Sequence, residues 1–491
     1  MRSAGILLHI SSLPSPYGIG TLGQAAYDFA DFLHAAGLHY WQVLPIGPTS
    51  YGDSPYQSFS TCAGSPYFID LPLLVQDGLL TQAELEASGL GDDARVDYGK
   101  QFSLRLRLLR KAYERGRDRD ARALDAFREE NPWVEDYALF MAIKESRNME
   151  PWNTWPDEIR LRRAGAVDTY ATVLSESVHF YCYLQFLFFR QWNALCAYVH
   201  GLGMEIIGDL PIYVPYDSCD VWAQPELFQL DADGTPTGVA GCPPDCFSED
   251  GQLWGNPLYR WDRMQQDDFA WWKHRIRAAG RLFDVVRIDH FRGLESYWAV
   301  PYGDETARGG KWVKGPDHAF TDMLRRTFPE LKLIAEDLGF LTEDVVRLQR
   351  DSGYPGMKVL QFAFGGDEPS GYLPHRYERN CICYTGTHDN ETLCQWLEHS
   401  DEKTLSQAAA YFGVERVTAD TILRAGMASV ADTFLCQMQD WLGLGDGARM
   451  NTPGTLSTDN WSWRMEKDAL TPELAARIAR MCRLYERKGE A

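Results

Sequence analysis

The chain has 491 residues, of which 45% are hydrophobic and 13% aromatic, and its formal net charge is −21. A minimal β/α barrel needs only about 250 residues, so a barrel of this length would carry large insertions or a second domain. The acidic balance argues against a nucleic-acid partner or an anionic membrane surface, because phosphate groups would be repelled. We therefore expect a large globular protein that binds a neutral ligand.

The eleven cysteines are scattered along the chain. Cys381 and Cys383 form one close pair and Cys242 and Cys246 the other, and neither has a matching Cys or His pair at zinc spacing. We expect reduced core thiols and no metal ion. The sequence has no run of about 18 apolar residues and no cleavage pattern of a signal peptide, which predicts no transmembrane helix and a cytoplasmic location.

Eight apolar, β-branched runs predict eight strands, over residues 5–10, 40–44, 205–208, 285–288, 332–335, 358–364, 382–386 and 434–437. Amphipathic stretches follow several of them and predict helices, for example over 25–36, 344–351 and 419–431. Alternating strand and helix periods indicate a parallel sheet with crossover helices. Eight such units predict an α/β fold of the (β/α)8 TIM barrel type, with an open doubly wound sheet as the alternative.

The spacing of these runs is uneven. A long interval separates the second and third predicted strands, and its polar and aromatic helical stretches predict an inserted helical subdomain over residues 60–200. The segment 211–265 is rich in Gly, Pro and aromatic residues and is predicted to be an inserted loop region of the substrate site, since βα loops lie above the mouth of a barrel. The whole chain, 1–491, is thus predicted to be a single catalytic barrel.

Gly18, Gly20 and Gly23 match the spacing of a dinucleotide-binding fingerprint. The segment SSLPSPY separates the first predicted strand from Gly18, so the tight strand–turn–helix geometry is lost. The next strand runs into the sequence PIGP, which offers no acidic residue to a ribose. We interpret the glycines as a tight turn and expect no nucleotide cofactor.

Three predicted strands end at a carboxylate. These residues are Asp289 in VVRIDHFRG, Glu336 in LIAEDLGF and Asp389 in YTGTHDNET. The carboxyl ends of the strands of a β/α barrel meet at one mouth, so the three side chains should converge, and two facing carboxyls are the minimum for chemistry on a glycosidic bond. A lone Asp after a strand is more often a helix N-cap, an interpretation that stays open for Asp337 and Asp389.

The surroundings of Glu336 and Asp289 predict different roles. Glu336 follows the apolar run 333–335, so desolvation should raise its pKa and suit it to protonating a leaving oxygen. Asp289 lies two residues after Arg287, on the same side of the strand, so the cation should lower the pKa of Asp289 and keep it ionised as a nucleophile. A structural ion pair would give the same pattern.

Several of the sixteen tryptophans lie in loop-like sequence. Trp222, Trp254, Trp461 and Trp463 are flanked by polar, Gly or Pro residues. Either they pack in the core or they are exposed platforms on which pyranose rings stack. The polar and aromatic segment 50–60 directly follows the second predicted strand and is expected to cover the site.

Taken together, these motifs resemble those of glycoside hydrolase family 77, the 4-α-glucanotransferases of the amylomaltase type in the α-amylase clan. The resemblance covers nearly the whole chain, from LLHISSLPSPYGIGTLG to MNTPGTLSTDNWSWR, and includes GDSPYQSFS, IIGDLPIYV, VAGCPPDCFSEDGQLWGNPLYRWD and MKVLQFAF. One departure is Cys246, where similar proteins usually have an aromatic residue.

The resemblance implies a role for individual residues. Asp289 matches the nucleophile, Glu336 the general acid/base and Asp389 a third carboxylate that holds sugar hydroxyls. The other residues implied to contact substrate are Arg287, His388, Asp209, Tyr56, Trp254, Asn451, Ser54, Asp245 and Tyr51. Tyr51 and Phe102 are similar to an aromatic platform for a second stretch of glucan.

The activity that the resemblance implies is transfer of part of an α-1,4-glucan, or maltooligosaccharide, to the 4-hydroxyl of glucose or of an acceptor glucan, by a retaining mechanism and without cofactor or metal. An α-amylase-like hydrolase is the nearest alternative. A catalytically silent glucan-binding protein and a nucleotide-dependent enzyme are the others. We expect a monomer or a weak homo-oligomer.

Overall fold

The computed structural model describes residues 2–244, 248–339, 341–367 and 370–487, with the backbone alone at Tyr51. Twelve strands are found in these ranges. They are β1 (Ser3–Leu7), β2 (Tyr40–Gln42), β3 (Glu205–Pro211), β4 (Gly238–Cys242), β5 (Gln252–Pro257), β6 (Val285–Asp289), β7 (Ser296–Pro301), β8 (Lys311–Lys314), β9 (Lys332–Ala335), β10 (Gly356–Val359), β11 (Cys381–Tyr384) and β12 (Thr433–Gln437).

Eight of these strands form a parallel sheet in the order β10-β11-β12-β1-β2-β3-β6-β9. Its two outer strands meet, because the Ala335 N–H donates to the Pro355 carbonyl at 2.9 Å and the Met357 N–H donates to Asp337 Oδ1 at 2.6 Å. The sheet therefore closes almost completely into a barrel. The predicted (β/α)8 barrel is confirmed, and the open doubly wound alternative is wrong.

Each of the eight predicted strands corresponds to a strand of the barrel. The prediction over 358–364 is wrong from residue 360 onward, because β10 ends at Val359 and Leu360–Ala363 forms a 3-10 helix. The strand predicted over 5–10 likewise ends at Leu7, ahead of the 3-10 helix Ile10–Ser12. A short buried run is apolar in either conformation, so hydrophobicity cannot locate where such a strand ends.

Helices connect the strands and fill the insertions. The α-helices are Gln24–Ala35, Leu71–Gln76, Gln82–Glu86, Tyr98–Lys100, Leu106–Gly116, Ala121–Glu130, Trp133–Ser146, Asp157–Arg160, Ala166–Val173, Ser175–Gly201, Cys219–Ala223, Trp261–Gln266, Ala270–Leu282, His318–Thr327, Glu343–Ser352, Leu393–His399, Glu402–Phe412, Ala419–Ala428, Met438–Leu442 and Pro472–Leu484. The 3-10 helices are Ile10–Ser12, Tyr51–Asp53, Pro66–Phe68, Trp152–Thr154, Pro225–Leu227, Phe291–Leu294, Ala307–Gly309, Leu360–Ala363 and Pro374–Arg376, and Gln101–Arg105 is π-helical.

Local chemistry sets the ends of the connecting helices. Thr342 caps the helix Glu343–Ser352 by accepting the Val345 N–H, and Gly353, at a φ of +77°, ends it in the left-handed region. This helix confirms the prediction over 344–351. The helices predicted over 25–36 and 419–431 are also present, although the second already ends at Ala428.

Two insertions rise from the barrel loops. Between β2 and β3 the chain is mostly helical, and Lys144 of this region donates to Asp217, which follows β3, at 2.6 Å. After β3 the chain forms β4 and β5, which pair with β7 and β8 in a four-stranded antiparallel sheet of order β5-β4-β7-β8. Segments that follow two different barrel strands therefore build one sheet, which the sequence did not predict.

The interior of the barrel is a packed apolar core. Side chains from six strands fill it, namely Ile207, Val285, Ile334, Met357, Val359, Ile382, Tyr384 and Leu435. Alternate residues of a strand point to the same side. The inward positions that follow this layer are therefore Asp209 on β3, Arg287 and then Asp289 on β6, and Glu336 after β9, so charged groups lie directly above apolar ones.

The ten cysteines among the described residues are free, and Cys381 and Cys383 are buried, which confirms the prediction of core thiols for this pair. Cys246 lies outside the described residues. Among the helices described, none combines the length and the apolar character that crossing a membrane requires.

We predict that Gly208→Ala lowers the free energy of unfolding by about 1–3 kcal/mol, because overpacking forces neighbouring groups to move. A Cβ atom at position 208 would lie 2.0 Å from the ring of Phe283. Gly201→Ala is the matched control, since a Cβ there meets no atom within 4 Å. Urea unfolding measures both, and equal midpoints for the two variants would contradict the prediction.

Candidate active site

Arg287 is the central charge at the C-terminal mouth of the barrel. It is the register partner of Asp209 on β3, and its Nη1 donates to both oxygens of that carboxylate, at 2.8 and 2.7 Å. The same nitrogen lies 2.9 Å from Asp289 Oδ1. The side chains of Arg287 and Asp209 are 5% and 0% exposed, whereas that of Asp289 is 28% exposed. Asp209 therefore acts as the buried counterion, and Asp289 faces the opening.

Glu336 lies beside Asp289 because their strands are neighbours. Ile288 and Ala335 are register partners, so Asp289 and Glu336 occupy the next step of two strands that lie about 4.8 Å apart. The His290 N–H donates to Glu336 Oε2 at 2.7 Å, and the Leu338 N–H donates to Oε1 at 2.8 Å. Both carboxyl oxygens of Glu336 are thus held by backbone groups.

Burial raises the pKa of both carboxyls. At Glu336, Arg287 and two backbone N–H donors oppose this rise, and the predicted direction is confirmed. At Asp289, burial raises the pKa, Arg287 lowers it, and the carboxylates of Asp209, Glu336 and Asp389 raise it further. The prediction that Arg287 would hold the pKa of Asp289 low is therefore wrong, because burial and the neighbouring carboxylates together outweigh the effect of the guanidinium. Neighbouring like charges resist joint ionisation, so the two carboxyls titrate as a coupled pair.

Asp389 is the most open of the three carboxylates, with 44% of its side chain exposed. Its Oδ1 accepts the Asn451 Nδ2–H at 2.6 Å and lies 3.4 Å from His388 Nε2. The Arg449 guanidinium donates to its backbone carbonyl at 2.6 Å. The next helix is capped by Thr392, so the N-cap interpretation of Asp389 is wrong.

The N-cap interpretation of Asp337 is also wrong. The helix that follows it is capped by Thr342. Asp337 instead accepts the Met357 N–H of β10, so it links β9 to β10 at the point where the barrel closes.

Tyr56 brings the segment 50–60 to the site. Its hydroxyl donates to Asp209 Oδ2 at 2.7 Å. Its ring stacks on His388, with centroids 5.1 Å apart, and Trp461 contacts both rings at 5.9 and 5.8 Å. Burial raises the pKa of Tyr56 well above its ordinary value, so the hydroxyl remains a donor. The three rings form an aromatic wall beside the carboxylates.

Trp254 belongs to β5 and contacts the segment that follows β6. Its ring packs edge-to-face on His290, the residue after the nucleophile candidate Asp289, with centroids 4.8 Å apart. His290 has a φ of +53°, and burial lowers its pKa to about 3, so this imidazole is neutral. The antiparallel sheet thereby brings an indole next to the mouth.

The structure brings eight of the predicted residues into one cluster, directly or through a neighbour. They are Asp289, Glu336, Asp389, Arg287, Asp209, His388, Tyr56 and Asn451, with Trp254 at the rim. Ser54 Oγ accepts the Tyr56 N–H at 3.3 Å and so shapes the loop of Tyr56. Asp245 lies outside the described residues, as does the side chain of Tyr51. Phe102 is 45% exposed, in the π-helical segment.

The remaining loop-like tryptophans are buried. Trp222, Trp461 and Trp463 are 0%, 6% and 6% exposed, so the core interpretation is correct for them, although Trp461 also supports the aromatic wall. Among the described residues, no three His, Cys, Asp or Glu side chains are grouped so as to hold a metal ion.

Sequence reasoning missed several residues that hold the site together. Arg449 donates to the carbonyls of Asp389 and Asn451. Asp440 accepts two hydrogen bonds, one from the residues before the Asp389 segment and one from the residues after it. The nearness of Arg449 to Asn451 in the motif ARMN was a signal for the first. No local signal marked Asp440, since its partners are 47 and 55 residues away.

Comparison with known proteins agrees with this geometry. The family model of glycoside hydrolase family 77, 4-alpha-glucanotransferase, matches residues 8–471. A 4-alpha-glucanotransferase of Clostridium butyricum is 47% identical over 98% of this chain and 100% of its own length, and one of Streptococcus pneumoniae serotype 4 is 46% identical over 100% and 98%. The structure of the amylomaltase from Streptococcus agalactiae in complex with acarbose is 40% identical, covers 99% of this chain and 100% of its own, and has a TM-score of 0.97. The chain therefore belongs to glycoside hydrolase family 77, the 4-alpha-glucanotransferases.

Proposed function

We propose that this enzyme transfers a segment of an α-1,4-glucan to the 4-hydroxyl of another glucan or of glucose. The observation that carries the proposal is the convergence of three carboxylates at one mouth of the barrel, where the charges of Glu336 and Asp389 both act on Asp289, in a chain of the 4-alpha-glucanotransferase family. Membership of that family favours transfer over α-amylase-like hydrolysis. The acarbose-bound amylomaltase, which superposes over nearly the whole chain, supports a glucan as the ligand.

The proposed mechanism is a double displacement with retention. Asp289 attacks the anomeric carbon while Glu336 gives its proton to the glycosidic oxygen, so the reducing-end fragment leaves as an alcohol. Glu336 then takes the proton of the acceptor's 4-hydroxyl, whose oxygen displaces Asp289. Retaining enzymes have the two carboxyls about 5–5.5 Å apart, and the neighbouring positions of Asp289 and Glu336 on paired strands support such a spacing.

The other site residues hold substrate or its partners in this proposal. Asp389, fixed by Asn451, takes hydroxyl groups of the sugar next to the cleaved bond, and His388 donates to the same sugar. Arg287 with Asp209 keeps Asp289 oriented toward the anomeric carbon. These roles rest on the hydrogen bonds at Asp389 and at Arg287.

Aromatic groups decide between an acceptor sugar and water. Trp254 at the rim and Tyr56 in the wall offer apolar faces to pyranose rings, and an acceptor sugar that stacks there excludes water from the glycosyl-enzyme. Ser54 supports the Tyr56 loop. We further propose that Asp245 completes the acceptor side and that Tyr51 with Phe102 binds a second stretch of glucan.

We also propose that residues 60–200 are a helical subdomain and 211–265 a substrate-site region, both inserted in one catalytic barrel. The hydrogen bond from Lys144 to Asp217 supports a close association of the two inserted regions. The ten cysteines of the described residues are free thiols, which is typical of a reducing compartment such as the cytoplasm. We propose a monomer or weak homo-oligomer that serves carbohydrate metabolism without a nucleic-acid or membrane partner, which the net charge of −21 supports.

Incubation with maltotriose tests the transfer. We expect the wild type to produce glucose, maltopentaose and longer chains, because a glycosyl group moves between substrate molecules. Asp289→Asn should lower the rate by at least about 10³-fold, since it removes the nucleophile, and Asp304→Asn, at an exposed position, is the control. Cleavage to glucose and maltose alone would identify a hydrolase, and no reaction in the wild type would favour a glucan-binding protein.

The pH profile of kcat/KM for maltotriose is expected to be bell-shaped, because the active pair holds one proton. Burial raises the pKa of Glu336 above the ordinary value of about 4.3. Activity should therefore persist above that pH and disappear as the pH rises through the raised pKa of the pair. On the acid side it is lost when the pair binds a second proton.

A glycosyl fluoride donor isolates the contribution of Glu336, because fluoride leaves without an acid. In the Glu336→Gln variant, the rate of fluoride release in the first turnover should not fall at alkaline pH, because this step does not use the proton of Glu336. The rate of the wild type on maltotriose should fall there. A maltotriose profile whose alkaline limb is unchanged in Glu336→Gln would contradict the assignment of that limb.

A further inference from the structure

The segment 386–391, here called the Asp389 loop, carries both His388 and Asp389 and has no regular secondary structure. It leaves the barrel after β11 and leads into the helix Leu393–His399. Within the loop, Asn390 Oδ1 accepts the N–H and the hydroxyl of Thr387. These bonds shape the loop but do not fix it to the barrel.

Asp440 holds the two ends of this loop. Its Oδ2 accepts the Thr385 hydroxyl at 2.6 Å, just before the loop, and its Oδ1 accepts the Leu393 N–H at 2.7 Å, just after it. Asp440 is 2% exposed and lies in the short helix Met438–Leu442, directly after β12. Because β12 is the neighbour of β11 in the barrel, the anchor is built on the frame that also supports the loop.

Other contacts hold the middle of the loop. Arg449 donates to the Asp389 carbonyl at 2.6 Å, and Gln361 Nε2 donates to the Glu391 carbonyl at 2.8 Å. With both ends joined through one carboxylate, a displacement of either end is transmitted to Asp389. A displacement of about 1 Å at a reacting group is enough to cost about a hundredfold in rate.

We propose that Asp440 is a positioning residue, whose carboxylate sets the span of the Asp389 loop and thereby aims His388 and Asp389 at the sugar. Asp440 itself touches no substrate in this proposal, which rests on the proposed role of Asp389. The required chemistry is an acceptor for the Leu393 N–H and a partner for the Thr385 hydroxyl.

An asparagine meets both requirements. Its amide oxygen accepts the Leu393 N–H, and its NH2 donates to Thr385 Oγ1, because a hydroxyl rotates to accept as readily as to donate. An alanine provides neither bond and leaves the buried Leu393 N–H without a partner. The two variants therefore separate the hydrogen bonds of Asp440 from its charge.

Asp70 offers a matched control. It is 3% exposed, and it accepts a threonine hydroxyl, from Thr21, at 2.6 Å and a backbone N–H, from Leu73, at 2.9 Å. It caps the helix Leu71–Gln76 and none of these partners belongs to the active site. Asp70→Ala thus removes the same two bonds from a buried carboxylate elsewhere in the fold.

We expect Asp440→Ala and Asp70→Ala to lower the melting temperature alike. Only Asp440→Ala should lower kcat/KM for maltotriose, by about 10–100-fold. Asp70→Ala should remain within about twofold of the wild type and Asp440→Asn within about threefold. An Asp440→Ala enzyme with the rate of Asp70→Ala, or an Asp440→Asn enzyme as slow as Asp440→Ala, would overturn the proposal.

A double-mutant cycle with Asp389 tests the route of the effect. In an Asp389→Ala background, Asp440→Ala should lower the residual rate by less than the 10–100-fold expected in the wild-type background, because one of the two groups that it positions is gone. An undiminished 10–100-fold loss in that background would overturn the proposal. If Asp440→Ala fails to fold, two variants of Thr385 replace it. Thr385→Val removes one of the two hydrogen bonds of Asp440 and should lower kcat/KM, whereas Thr385→Ser keeps the hydroxyl and should remain close to the wild type.

A crystal structure of Asp440→Ala tests the role of Asp440 independently of the proposed function, because it shows the position of the Asp389 loop. If the wild type performs no transfer, the proposed function fails, and the anchor is then judged from the position of the Asp389 loop alone. A displaced loop with the rest of the barrel unchanged supports the anchor, and a loop in its original place overturns it.

Discussion

The ion pair between Arg287 and Asp209 is the constraint on which the site depends. A guanidinium buried above an apolar barrel core is tolerated only when it is paired and hydrogen-bonded. Asp209 accepts two of its hydrogen bonds from the neighbouring strand, and Tyr56 adds a third donor to that carboxylate. The pair is therefore neutral overall, rigid, and still able to present one nitrogen to Asp289.

This arrangement explains how several carboxylates occupy one small mouth. Arg287 stabilises the ionised forms of Asp289 and Glu336, while burial and mutual repulsion work against them. The raised pKa values favour retention of a proton by this coupled pair, and an acid and a nucleophile together require one proton between them. Asp389, being more exposed and held by Asn451, provides a carboxylate for sugar hydroxyls without competing for Arg287.

Much of this could be predicted from local sequence. Eight strands, their parallel order and the carboxylates at three strand ends follow from apolar runs and their last residues, because barrel geometry brings strand ends together. The direction of the pKa shift of Asp289 could not be predicted, because the sequence shows Arg287 two residues away but shows neither the burial of Asp289 nor the nearby carboxylate of Asp209. The sheet β5-β4-β7-β8 was missed because its partners come from two separate loops. Asp440 was missed because hydrogen bonds to residues 47 and 55 positions away leave no periodic pattern in the sequence.

Trapping the glycosyl-enzyme tests the central claim, that Asp289 is the nucleophile held by Arg287. A maltosyl fluoride whose non-reducing 4-hydroxyl is removed can glycosylate the Glu336→Gln variant but cannot serve as an acceptor, and loss of the general base slows release. Peptide mass spectrometry of the trapped protein should place a deoxymaltosyl group on the peptide that contains Asp289. An adduct on another carboxylate, or a product of inverted anomeric configuration, would contradict a retaining mechanism through Asp289.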